Sequence, residues 1–324
     1  MCTAVTYKTK NHYFGRTFDL YYHYNEQVLI TPRNFEFKFR KGESIKNHYA
    51  LIGIGIKSGN YPLYYDAVNE KGLAMAGLNF PGCARYNKPA SGKSNIAVFE
   101  LIPWILGQCA DIDEVLNLLS DINITDESFS EKLPTSPLHW IIADKNRAIT
   151  VESLTDGLKI YDNTVGVLTN SPTFDFHMYN LAGHMNLTPL PPENRFTDKA
   201  ELKRYSFGMG AMGLPGDVSS ASRFVRAAFT KLNSVSGDSE EESVNQFFHI
   251  LGTVQQVRGC TDVGEGVYEI TEYTSCCNTD KGIYYYTTYE NSRITAVDMH
   301  KEELNGTDII DYGLAKGPQI LQGN

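Results

Sequence analysis

Short segments in which apolar and polar residues alternate recur along most of this chain, and they fall into two groups separated by stretches with helical periodicity. The first group is Thr3–Thr9, Tyr13–Phe18, Gln27–Thr31, Ala50–Ile56, Leu63–Val68 and Leu73–Leu78. The second is Leu138–Ala143, Ala148–Glu152, Leu158–Tyr161, Val165–Leu168, Tyr268–Tyr273, Gly282–Thr287 and Ile294–Val297. Period-two patterning rich in β-branched and aromatic residues predicts strands, and turn residues at Asp144 to Asn146 and Asp156-Gly157 predict antiparallel hairpins. Helices are predicted over Ala97–Cys109, over Ile112–Leu119 behind the capping-box-like Asp111 and Glu114, from Ala221 to Leu232, and over Ser243–Val257. The acidic run Asp238 to Glu242 suits the positive end of the last helix dipole and needs no binding role. Antiparallel groups with helix pairs between them imply an α+β chain whose helices cover the outer faces of stacked sheets.

Nothing rich in Gly, Pro or Ser divides the chain, and no repeat or low-complexity tract is present, so residues 1–324 are expected to form one domain. The polar stretch Thr188 to Lys203 is a long excursion suited to an interface or a lid. With 324 residues, 42% of them hydrophobic, the chain can bury a substantial core. A net charge of -9 with scattered lysines and arginines argues against a nucleic-acid or anionic-membrane partner. The richest apolar stretch, Ile96 to Cys109, is interrupted by Glu100 and Pro103, and no charged-then-apolar leader opens the chain, so a soluble, cytoplasmic protein is expected.

The cysteines at 2, 83, 109, 260, 276 and 277 show no C-x-x-C spacing and read as reduced thiols. No histidine pair has metal-ligand spacing, so no metal is expected; His139, between Leu138 and Trp140, reads as a core residue or a support for a site. Gly208-Met209-Gly210-Ala211-Met212-Gly213 fits a dinucleotide-binding expression, but Pro215 and Gly216 follow where that fold needs a helix, so a glycine-rich loop bordering a pocket is the better reading. In Tyr284-Tyr285-Tyr286, two of the three rings should share a face and serve packing.

The chemistry begins at Met1-Cys2-Thr3. An initiator methionine before a small residue is normally trimmed, which would leave Cys2 with a free α-amine beside its thiol. A thiol near ~8.5 and an α-amine near ~7.7–8.0 can exchange a proton at neutral pH, so nucleophile and base would reside on one residue. Arg16 could favour the thiolate and Asp19 the ammonium. They lie three apart, so on a regular strand they face opposite sides, and a shared role calls for a bend or bulge near Thr17. Asn79 and Asn170 could donate to a developing oxyanion, although each precedes a proline-bearing turn where asparagine is common. Arg223 could equally be a surface helix residue.

The set MCTAVTY, FGRTFD, AVNEKGLAMAGLNFPG, LTNSPTFDFH, GLPGDVSSASRFVRAAF and YTSCCNTDKGIYYYTTYEN resembles the choloylglycine hydrolase family, the bile salt hydrolases and penicillin V acylases among N-terminal nucleophile hydrolases. The likeness runs from the first residue to about Asp298. It implies a four-layer αββα sandwich and a cofactor-free amidohydrolase acting through an acyl-enzyme on Cys2. Arg16 and Asp19 would be the cysteine's partners, Asn79 a backbone donor, Asn170 a side-chain donor and Arg223 an active-site arginine. Thr17 stands where many relatives carry asparagine. Asparagine at position 79 favours conjugated bile acids over penicillin V, and a substrate wall of Phe18, Tyr65, Phe129, Leu133 and Leu138 is implied. The loop Gly208 to Gly210 hints at glycine conjugates, and the family commonly forms homotetramers. The rivals are an acylase for penicillin V or other N-acyl compounds, and a noncatalytic carrier of amphipathic acids.

Overall fold

Every residue from His12 to Asp19 is buried, as is every residue from Ile270 to Asn278, so these two segments must lie in the interior of a layered structure. The computed structural model describes residues 1–324. The strands are β1 (Cys2–Lys8), β2 (His12–Leu20), β3 (Gln27–Thr31), β4 (Leu51–Ser58), β5 (Tyr61–Asn69), β6 (Ala74–Asn79), β7 (Ser94–Ala97), β8 (Ile122–Thr125), β9 (Leu138–Ala143), β10 (Ala148–Leu154), β11 (Gly157–Asp162) and β12 (Val167–Leu168). They continue as β13 (Asp262–Gly264), β14 (Val267–Tyr268), β15 (Ile270–Asn278), β16 (Ile283–Thr288), β17 (Thr295–Asp298) and β18 (Ile310–Gly313). The α-helices are α1 (Leu101–Leu106), α2 (Ile112–Leu119), α3 (Phe174–Ala182), α4 (Ser220–Asn233) and α5 (Glu240–Gly252).

Two antiparallel sheets result, one ordered β12-β1-β2-β15-β16-β17 and the other β11-β10-β9-β6-β5-β4-β3-β18. Alternation along β6 decides the layering: Ala74, Ala76 and Leu78 join a core with Phe14, Phe18 and Tyr273 of the smaller sheet. The intervening Met75 joins Trp104, Ile105 and Leu106 of α1 and Ile112 and Val115 of α2 on the outside. On the far side of the smaller sheet lie Phe224, Ala227 and Ala228 of α4 and Phe247, Ile250 and Leu251 of α5. The order helices, sheet, sheet, helices is the expected αββα sandwich. β2 and β15 also run unusually close at Gly15, where a Cβ would fall 2.0 Å from the Ser275 carbonyl oxygen.

The predicted elements differ from the observed ones where tertiary partners intervene. The helix expected over Ala97–Cys109 shrinks to α1 behind a 3₁₀ turn at Val98–Glu100, because Glu100 accepts hydrogen bonds from Ala97 N at 3.0 Å and Arg40 N at 2.6 Å and holds a turn. Upstream, β7 pairs in parallel with β8. The helix expected from Ser243 begins instead at Glu240, where Ser239 and Glu242 form a reciprocal capping box. Neither α3 nor β18 was expected; β18 exists because the C-terminal tail lies along β3.

Two outcomes test this packing. Phe247 is fully buried in α5, and Phe247→Ala is expected to lower unfolding stability by about 3–5 kcal/mol in urea titrations. His12 lies between the Thr6 hydroxyl at 2.5 Å and that of Thr279 at 2.8 Å, and burial, reinforced by Lys8, pulls its pKa from 6.5 down to about 4. The unfolded chain then binds a proton that the folded chain refuses, so this contribution is complete above pH 6.5 and is lost as pH falls towards 4. His12→Gln should narrow the gap between melting temperatures at pH 7 and pH 5; an unchanged gap contradicts the assignment.

Candidate active site

Pairing of β1 with β2 sets Cys2 opposite Phe18 and Ala4 opposite Arg16, so Cys2, Arg16 and Phe18 share the face turned towards the larger sheet. Arg16 is wholly buried and reaches across the sandwich: Nη1 donates to the carbonyls of Gly77 at 2.6 Å and Tyr65 at 3.2 Å, and Nε to that of Thr17 at 3.3 Å. Its guanidinium lies 5.1 Å from the centre of the Phe18 ring, and Nη2 has no hydrogen-bond partner in the protein. Burial works against this charge, but Cys2, Tyr273, Asp66 and Asp19 outweigh it and hold the pKa above the usual arginine value. Arg16 is thus a permanent cation beside Cys2. Asp66 reaches the opposite way, accepting from Tyr273 Oη at 2.7 Å, Ser275 Oγ at 3.3 Å and the Tyr284 hydroxyl.

Arg16 and Asp19 do point to opposite faces, and the bulge expected near Thr17 is absent from β2. The extra residue is Glu272 in β15, between Thr271 opposite Asp19 and Tyr273 opposite Phe18. That bulge lets Thr271 Oγ1 donate to Asp19 Oδ1 at 2.7 Å while the Tyr273 ring stacks on Phe18 at 5.1 Å. Thr17, on the same face as Asp19, donates to its Oδ2 at 3.3 Å and accepts from Thr3 N at 3.1 Å. Burial raises the Asp19 carboxyl above its usual value against the pull of the terminal ammonium and Arg223. Met1 precedes Cys2 in this chain, its ammonium donating to the Asp19 carbonyl at 3.0 Å and contacting Glu269.

Asn170 follows β12 and is the junction of the site. Its Oδ1 accepts from Cys2 N at 2.8 Å and Arg223 Nη2 at 2.7 Å, while Nδ2 donates to the Asn79 carbonyl at 2.7 Å. Arg223 is no surface residue: it is fully buried in the first turn of α4, and Nη1 donates to the Cys2 carbonyl at 2.5 Å and Thr3 Oγ1 at 2.7 Å. Asn79, exposed at the end of β6, stands opposite Leu138. Because Phe80 N donates to Pro137 O at 2.7 Å, ladder alternation turns the Asn79 N–H the other way, to the side where its carbonyl meets Asn170. A backbone N–H and a carboxamide N–H next to each other are what an oxyanion requires.

Of the proposed wall, Phe18 and Tyr65 stack at 4.4 Å, Tyr65 being a bulge residue between Tyr64 and Asp66. Phe129 belongs to a separate cluster with Phe99 at 5.2 Å and Tyr61 at 5.8 Å, with Arg40 donating to its carbonyl at 2.5 Å. Leu133 closes a small bridge with Ser130, and Leu138 packs towards the α1–α2 core. The sequence reading missed Thr3, Thr271 and Ser220. Nothing local marks them, since each earns its place through a partner at least 50 residues away.

Residues 2–312 match the family described as linear amide C-N hydrolases, choloylglycine hydrolase family. The "Bile salt hydrolase/transferase" of Lactiplantibacillus plantarum is 54% identical over 324 residues, covering 100% of both chains. That of Clostridium perfringens is 42% identical over 331 residues, again covering 100% of both. A mutant of the conjugated bile acid hydrolase from Clostridium perfringens superposes with TM-score 0.92 and 40% identity over 100% of both chains. Penicillin V acylase from Agrobacterium tumefaciens, at TM-score 0.77 and 19% identity over 97% of this chain and 92% of that one, shares the fold. This chain belongs to the choloylglycine hydrolase family of linear amide C-N hydrolases.

Proposed function

We propose that this enzyme hydrolyses the amide bond of glycine- or taurine-conjugated bile acids, acting as one domain with Cys2 as its nucleophile. The observation that carries the reading is the Asn170 carboxamide, which touches the nitrogen of Cys2 on one side and the strand end at Asn79 on the other. Removal of Met1 turns that nitrogen into an amine. The amine takes the thiol proton, the thiolate forms a bond to the amide carbon, and the carbonyl electrons move onto oxygen, where Asn79 N–H and Asn170 Nδ2–H receive them. The protonated amine then gives its proton to the leaving nitrogen as the C–N bond breaks, leaving a thioester on Cys2 and free glycine or taurine. Water, deprotonated by the same amine, cleaves the thioester. Such a thioester is equally open to an amine, in keeping with the hydrolase/transferase names of the relatives.

Phe18, Tyr65, Phe129, Leu133 and Leu138 are proposed to meet the steroid, whose burial is favourable by roughly 0.8 kcal/mol per methylene. The six cysteines are all unpaired, which supports a reducing, cytoplasmic setting. No helix is long and apolar enough to cross a membrane.

Cys2→Ala is expected to abolish release of glycine from glycocholate while steroid binding persists, and intact mass should show the active enzyme without Met1. Full activity with Met1 retained would sink the mechanism. Faster turnover of penicillin V than of glycocholate and taurocholate would overturn the substrate, and binding without turnover would point to a carrier.

We further propose a homotetramer joined through the excursion after α3. It folds back on itself, Thr188 N donating to Gly210 O at 3.0 Å, and it presents Met185, Phe196, Tyr205 and Phe207 to solvent, with Phe207 96% exposed. An apolar surface of this kind marks an association site. Light scattering should find four copies in the wild type and fewer in Phe196→Ser/Phe207→Ser; a monomeric wild type refutes this assembly.

A further inference from the structure

We propose that His139 and His177 are positioning residues that clamp the Thr169–Asn170 peptide from behind and so preset the Asn170 carboxamide, a role that rests on Asn170 being an oxyanion donor. Both imidazoles are fully buried, and neither is used in the mechanism above. His139 Nε2 lies 2.9 Å from the Thr169 carbonyl and His177 Nε2 lies 2.8 Å from that of Asn170, so two rings hold consecutive carbonyls. A carbonyl only accepts, so each Nε2 must carry its hydrogen.

Each ring is itself fixed. His177 stacks on Phe224 at 4.8 Å and 14°, immediately beside Arg223. Burial lowers its pKa to about 4, so it is a neutral ring with the hydrogen on Nε2. His139 lies parallel to Phe80 at 4.1 Å and 9°, and Phe80 directly follows Asn79. Its Nδ1 is 3.0 Å from Glu152 Oε1, the same oxygen that accepts Phe174 N at 3.0 Å. His139 therefore touches the neighbours of both proposed oxyanion donors. Ser220 Oγ completes the clamp by accepting Asn170 N at 2.8 Å. With the peptide held at both carbonyls and at one N–H, the carboxamide needs no reorganisation when charge develops, which is the condition for a donor to accelerate the reaction.

The test compares wild type, Asn170→Ala, His177→Ala and His177→Gln, with kcat and KM measured on glycocholate. Rates are normalised to alkylatable Cys2, read on the N-terminal peptide by mass spectrometry. His177→Ala is expected to lower kcat by about ten- to a hundredfold with KM changed less than about twofold, since a misplaced group costs rate rather than binding. Cys2 alkylation, which uses no oxyanion donor, should keep its rate. His177→Gln, whose Nε2 can donate where the ring nitrogen did, should recover most of the loss. If the alanine variant does not fold, His177→Asn, whose donor falls one bond short, replaces it against His177→Gln. Unchanged kcat in His177→Ala, a loss that glutamine leaves unrepaired at equal melting temperature, or a parallel loss of alkylation each overturns the proposal. Wild-type kcat in Asn170→Ala would instead remove the reading of Asn170 on which it rests.

Discussion

One carboxamide joins the pieces of this molecule that have to meet. Asn170 accepts from the Cys2 nitrogen and the Arg223 guanidinium and donates to Asn79, contacts that span 168, 53 and 91 residues of chain. A buried amide left without partners costs about 1–3 kcal/mol, so the first strand, the end of β6 and the start of α4 are satisfied together or not at all. A one-residue slip of β1 against β2 would turn the Cys2 side chain to the opposite face and break every one of these contacts. The geometry of the nucleophile is thus tied to the register of the sandwich.

The second organising fact is that two guanidinium groups are buried entirely, one on each side of the smaller sheet. An unpaired charge in such a place would be strongly destabilising, and each donates to backbone carbonyls. The negative groups nearby outweigh burial at Arg16 and counter only part of it at Arg223. Arg16 extends from the smaller sheet to carbonyls of the larger, and Asp66 extends from the larger to hydroxyls of the smaller. Both struts run through the aromatic stack of Tyr65, Phe18 and Tyr273, itself shaped by bulges at Tyr65 and Glu272. Stability and catalysis draw on the same side chains here: the groups that close the polar gap between the sheets also set the field at the thiol.

Much of this was legible in the chain. Alternation marked most strands of both sheets, because a strand with a core on one or both sides needs apolar side chains at period two. Capping residues marked α2, since a helix start must satisfy its own free N–H groups locally, whereas α5 begins three residues before the expected start, at a Ser239–Glu242 capping box that was read only as an acidic run. What alternation could not show were elements that exist only through a distant partner: the parallel pair β7–β8 and the tail strand β18. The bend sought near Thr17 was a sound inference from the three-residue spacing of Arg16 and Asp19, yet the irregularity lies in the neighbouring strand, which spacing within β2 cannot reveal. Helical periodicity alone left Arg223 open between a surface and a site role, because it gives a side chain's direction but not what waits there.

By itself the order of amino acids determined the strand and helix content, the presence of a cysteine one step from the chain start, and, through several motifs in the right order, the resemblance that named the family. Only the tertiary structure decided that Asn170 faces Cys2, that Arg16 and Asp19 flank it from opposite faces, and that His139 and His177 stand behind the same peptide. The reason is physical: periodicity and capping are properties of neighbouring residues, whereas a catalytic arrangement depends on which hydrogen bonds form between segments far apart in sequence, and these are settled only when the sheets stack and exclude water.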